Sequence, residues 1–121
     1  MSRMFAMWGA VSALVAVAAG AFGAHTLRAR LPVDQLAAFE TGVRYQMYHA
    51  LALFVVAWAA TQWPTQLVRV SGMLFLVGSL VFSGSLYALA LTGVKWWGAI
   101  TPLGGLSFIA AWLLLAWSLR K

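Results

Sequence analysis

The side chains able to do chemistry in this sequence are few and clustered. The stretch Phe39-Glu-Thr-Gly-Val-Arg-Tyr-Gln-Met-Tyr-His49 holds Glu40, Arg44, Tyr45 and His49. The others are His25, Ser83, Ser85, Tyr87 and Thr101. Two histidines can ligate a metal or a haem iron. His25 and His49 are the metal candidates, but a closed site needs more donors than they supply, and only Glu40, Asp34 and tyrosines are near. With no cysteine in the chain, thiolate metal sites, disulfides and cysteine nucleophiles are excluded. Glu40 precedes Arg44 by four residues, the favourable order for a pair on one helix face, where it anchors a helix or turns inward to a ligand. Phosphate-loop, zinc-protease, serine-triad and dinucleotide patterns are all missing. The residues therefore suit binding better than catalysis, and no cofactor is assigned.

What must position these residues is set by composition. Of 121 residues, 64% are hydrophobic and only 8% charged, against roughly 25% charged in an ordinary soluble domain. A single small domain could not hide that much apolar surface from water, so lipid is its solvent. The net charge of +6 comes from scattered residues, with no basic run of the kind that binds nucleic acid.

Reading between the charges leaves long uncharged runs at 4–24, 50–68, 70–94 and 96–119. A span needs about 20 apolar residues, which predicts one domain over 1–121, an all-α, four-helix transmembrane up-and-down bundle. The expected helices are 4–25, 44–63, 67–91 and 97–118. The first run resembles a signal peptide, ending in Gly20-Ala-Phe-Gly-Ala24, but it is as long as a full span and is read as helix 1. Pro32 and Asp34 suit a helix start, and Leu36, Phe39, Val43 and Met47 make an amphipathic stripe. This predicts an interfacial helix at 33–43 that continues or bends into helix 2. Ser12, Ala16, Gly20 and Ala24 form a small-residue ridge on helix 1, a candidate face for a protein partner or a homo-oligomer. In helix 4, Thr101-Pro102 followed by Gly104-Gly105 either frees backbone for a ligand or is an ordinary proline-containing helix start.

Threading the chain up and down places both termini on one face, side A, with Arg3, Arg69, Arg120 and Lys121. Side B receives Arg28, Arg30, Arg44 and Lys95, together with both acids. The basic residues thus divide equally, and the terminal amine tips the expectation toward cytoplasmic termini. The candidate residues His25, Glu40, Arg44, Tyr45, His49, Ser83, Ser85, Tyr87 and Thr101 all fall toward side B, a polar cap on the bundle.

Four motifs in order carry a resemblance. They are Gly20-Ala-Phe-Gly-Ala-His25, Thr41-Gly-Val-Arg-Tyr-Gln-Met-Tyr-His49-Ala-Leu, Phe82-Ser-Gly-Ser-Leu-Tyr87 with Leu91-Thr-Gly, and Gly98-Ala-Ile-Thr-Pro-Leu-Gly-Gly105. Together they resemble the domain-of-unknown-function family 423 of small membrane proteins. The resemblance implies a four-helix protein of a bacterial inner membrane with no established activity, and it supplies no catalytic residues. The expected function is binding of a partner protein, lipid headgroup or small ligand at the cap. The rivals are an oligomeric transporter or channel subunit, lined by Ser79, Ser83 and the helix 1 ridge, and a histidine-ligated metal or haem protein.

Overall fold

The computed structural model describes residues 1–120, so Lys121, one of the side A charges, lies outside it. Four α-helices account for nearly all of it: α1 (Ser2–His25), α2 (Val33–Gln62), α3 (Gln66–Thr92) and α4 (Trp97–Ser118). A single 3-10 turn, Leu27–Ala29, follows α1. Among the described residues, α1, α3 and α4 are long and apolar enough to cross a membrane. The middle of α2 carries Tyr45, Gln46, Tyr48 and His49, which lower its apolar content.

The expected lead-in 33–43 and the second span form one unbroken helix. Gly42 does not interrupt it, and the Tyr87 ring and Leu86 of α3 occupy the space its side chain would need. At about 1.5 Å per residue, a helix of 30 residues is about 45 Å long, more than the roughly 30 Å hydrocarbon layer. The charged residues of α2, Asp34, Glu40 and Arg44, all lie in the first half of that length.

Short connections reverse the chain. Trp63-Pro64-Thr65 joins α2 to α3, where the Thr65 hydroxyl accepts from the Val68 N–H. Gly93 closes α3 at φ 71°, a left-handed conformation that a side chain would strain. Neighbours in sequence pack side by side, α1 on α2, α2 on α3 and α3 on α4. Serine hydroxyls tie them in opposed register: Ser2 donates to the Ala57 carbonyl, Ser83 to Gly42, Ser71 to Ala111 and Ser107 to Leu74. In lipid there is little hydrophobic drive between helices, and each such bond contributes about 0.6 kcal/mol on average. α2 and α3 bury the most residues and form the centre, with α1 and α4 as flanks.

Glycines set the closest approaches. On α1, Gly9 meets the Ala50 carbonyl and Leu53, Gly20 meets Val43, and Gly23 meets the Phe39 ring. Ala16 is buried on the same face, and the Ser12 carbonyl accepts from Gln46. Of the expected small-residue ridge, Ala16 and Gly20 pack against α2, Ser12 is half-buried and Ala24 is exposed. The irregular start of α4 has an internal explanation too. Pro102 lies inside the helix, and the space a Cβ would need at Gly104 is taken by the backbone of Phe82.

Candidate functional site

Gln46 and His49, on successive turns of α2, organise the buried polar chemistry. Gln46 is buried, and its Oε1 accepts the Tyr87 hydroxyl at 2.5 Å while its Nε2 donates to the Ser12 carbonyl at 3.0 Å. A carbonyl can only accept, so the amide orientation is forced. One side chain thus links α1, α2 and α3.

His49 sits on the α4 side of the same helix, in an aromatic box. Its ring stacks on Phe108 at 3.6 Å and 5°, with Phe75 at 5.7 Å and Trp112 at 5.9 Å. Nδ1 lies 2.7 Å from the Tyr45 carbonyl, and the Trp112 indole N–H reaches Nε2 at 3.1 Å. The carbonyl only accepts and the indole only donates, so His49 is the neutral Nδ1–H tautomer. Both ring nitrogens are occupied, and neither is free for a metal.

The expected histidine pair does not form. Gly9 packs level with Ala50, so His49 lies about 24 Å along the helix from His25, at roughly 1.5 Å per residue. The cause is the length of α2: it begins at Val33, which makes His49 a mid-helix residue, while His25 ends α1, exposed. Among the described residues no group of histidines and acids could hold a metal ion.

The rest of the expected cap divides in two. Ser83, Ser85, Tyr87 and Thr101 turn inward, as His49 does, and are consumed by helix contacts. Ser85 donates to the Phe82 carbonyl at 2.9 Å, and its hydroxyl meets that of Thr101 at 2.6 Å. His25, Glu40, Arg44 and Tyr45 remain exposed. Tyr45 lies against Phe82, ring centroids 4.6 Å apart. Among the described residues, the hydrogen bond of Arg44 runs to the Thr41 hydroxyl at 3.3 Å rather than to Glu40. Both charged residues wall a cleft of about 220 Å³ whose other side is Gly20, Gly23 and Ala24. A cation and an anion one turn apart, beside small residues, can receive a group that carries both charges.

The family comparison gives the same stretches a common owner. Residues 19–105 match the family described as "Protein of unknown function (DUF423)". The chain belongs to this family. Relatives of DUF423 type extend the match over nearly the whole chain. The chain is 47% identical to UPF0382 membrane protein YwdK of Bacillus subtilis, over 93% of each. With UPF0382 membrane protein SH2409 of Staphylococcus haemolyticus the identity is 43%, over 98% of this chain and 97% of the other. UPF0382 inner membrane protein YgdD of Escherichia coli is 38% identical over 94% of this chain and 87% of its own length. No solved structure matches.

In this DUF423 chain the residues that sequence reasoning missed are Gln46, Phe108 and Trp112. Gln46 had one visible signal, an amide three residues before His49 in the middle of a helix. Phe108 and Trp112 are four apart on α4 and so share a face, yet nothing local says that the face meets His49.

Proposed function

We propose that this protein is a four-span, non-enzymatic integral membrane protein whose side B cleft binds the headgroup of a zwitterionic phospholipid. The observation that carries the reading is the cleft itself. Glu40 and Arg44 are exposed, lie on one side of it, and face small residues that leave about 220 Å³ open. Arg44 offers the planar donor fork that suits a phosphate, and Glu40 offers an acceptor for an ammonium. α2 is the fourth span, its Gln46 enclosed between α1 and α3 and its His49 boxed by α3 and α4, with the surplus end from Val33 to Gly42 at the headgroup level. That depth brings the cleft to the layer where phospholipid charges lie.

The inner membrane is the proposed location, supported by the printed name of the Escherichia coli relative, with both termini cytoplasmic. A transport role draws less support, because Gln46, Ser83 and Tyr87 are engaged in bonds between helices rather than lining a wet path.

The test is native mass spectrometry of protein released from nanodiscs of mixed phosphatidylethanolamine and phosphatidylglycerol. Wild type should retain phosphatidylethanolamine. Arg44→Gln should lose both lipids, and Glu40→Gln should shift retention toward phosphatidylglycerol, which has no ammonium. Unchanged phosphatidylethanolamine retention in both variants would refute the reading.

A further inference from the structure

A second opening lies between α1 and α3. The two helices touch near side A, where the Phe5 ring fills the space beside Gly72, and part beyond that contact over α2. The gap is a groove of about 580 Å³. Val11 and Val15 make one wall, and Met73, Leu76 and Leu80 the other. Val11, Val15, Met73 and Leu80 are exposed, and at their depth what they are exposed to is lipid. From Met73 to Tyr87 the groove runs about 21 Å at roughly 1.5 Å per residue. The chains of one leaflet fill about half of a roughly 30 Å hydrocarbon layer, so a whole acyl chain fits along it.

Polar groups offer little inside it. Gln46 and Tyr87 are bonded to each other, Gln46 also holds the Ser12 carbonyl, and the Ser83 hydroxyl holds the Gly42 carbonyl. The Ser79 hydroxyl is enclosed by protein and out of a ligand's reach. That leaves Ser12, whose hydroxyl can bond the preceding turn of its own helix, and Trp8, nearer to side A on α1. No charged residue lines the groove. A charge stands just outside it. Arg69, Met73, Leu76 and Leu80 recur at four, three and four along α3, so they share one face. Arg69 is exposed, one turn beyond Met73 toward side A. The two acidic side chains of the chain, Asp34 and Glu40, are at the other end of the bundle, so neither neutralises it.

A guanidinium at the mouth of an aliphatic channel matches an amphiphile with an anionic head and a chain to bury. We propose that the groove binds an anionic phospholipid of the side A leaflet, its phosphate on Arg69 and one acyl chain between Val15 and Leu80. The Arg69 fork suits a phosphate, and Trp8 stands below it, an amphipathic ring of the kind that collects near the headgroups. With no carboxylate beside it to receive an ammonium, Arg69 favours a head of net negative charge, unlike the Glu40–Arg44 cleft. The two sites belong to opposite leaflets, and this one stands or falls without the other.

Because the groove is open to lipid along its length, its occupant exchanges and has to be read inside the membrane. The probe is phosphatidylglycerol with a diazirine near the end of one acyl chain, in phosphatidylcholine nanodiscs, compared with phosphatidylcholine carrying the same chain. After irradiation, peptide mass spectrometry should find wild-type cross-links concentrated on Val15, Leu76 and Leu80 rather than on the exposed Leu106, Ile109 and Leu113 of α4. The phosphatidylglycerol probe should exceed the other there by about fivefold, the effect of one basic residue on an anionic lipid. Arg69→Gln, a change at an exposed position, should abolish that preference. Arg69→Lys should keep most of it, and Arg44→Gln should leave it unchanged. Even labelling of α1, α3 and α4, equal yields from the two probes, or an undiminished preference in Arg69→Gln would each overturn the proposal. So would a stable dimer that shields the groove from both probes.

Discussion

Replacing Gln46 by leucine tests whether the buried amide holds three helices together. The substitution preserves size but deletes two bonds, one from the Tyr87 hydroxyl at 2.5 Å and one to the Ser12 carbonyl at 3.0 Å. Interhelical hydrogen bonds in lipid contribute about 0.6 kcal/mol on average and up to about 1.7. The Ser12 carbonyl keeps its own helical partner, being inside α1, whereas the Tyr87 hydroxyl loses its acceptor and is left beside apolar side chains. The stranded hydroxyl adds to the two lost bonds, so the loss should be about 2–4 kcal/mol. Reversible unfolding of purified protein in mixed micelles with rising SDS would measure it. Tyr87→Phe removes only the first bond, and the double variant should show coupling of about 0.5–1.5 kcal/mol. If Gln46→Leu unfolds at the wild-type SDS fraction, or the two substitutions add within about 0.3 kcal/mol, the bridging role is wrong.

Other expectations are independent of that one. Gly104→Val should destabilise by about 1–3 kcal/mol or more, since its side chain meets the Phe82 backbone. Gly105→Ala, whose Cβ would lie 4.0 Å from the Phe82 ring, should be nearly neutral in the same SDS titration. Nitrogen-15 NMR of labelled protein should show His49 as the Nδ1–H tautomer, and Trp112→Phe should cost about 0.5–1.5 kcal/mol by removing the donor to Nε2. Because the chain has no cysteine, single-cysteine variants report topology directly. Arg30→Cys and Ser118→Cys should be labelled from opposite sides of the membrane, and labelling from one side only would refute four crossings.

Residue order alone makes lipid the solvent, because so few charges divide so much apolar chain. It also determined where the chain turns: Pro64 removes a helical N–H between α2 and α3, and Gly93 supplies the left-handed residue that ends α3. The expected 67–91 and 97–118 stand beside observed helices of Gln66–Thr92 and Trp97–Ser118. These are local properties, readable from neighbours a few residues apart. The candidate site was legible only as a set of residue types.

Tertiary structure decided how those residues are used. That α2 starts at Val33 moved His49 to mid-helix and away from His25, and the missing side chain of Gly42 admits Tyr87 and Leu86 of α3. The donor to His49 is 63 residues away in Trp112, and the Ser12 carbonyl is 34 residues from Gln46. Within the ridge of helix 1 that suggested a partner, Ala16 and Gly20 proved to pack against α2. Hydropathy says that a face is buried but not against what. That depends on how adjacent helices slide and rotate until their glycines, aromatic rings and lone hydrogen-bonding groups fit, a condition on the whole chain at once.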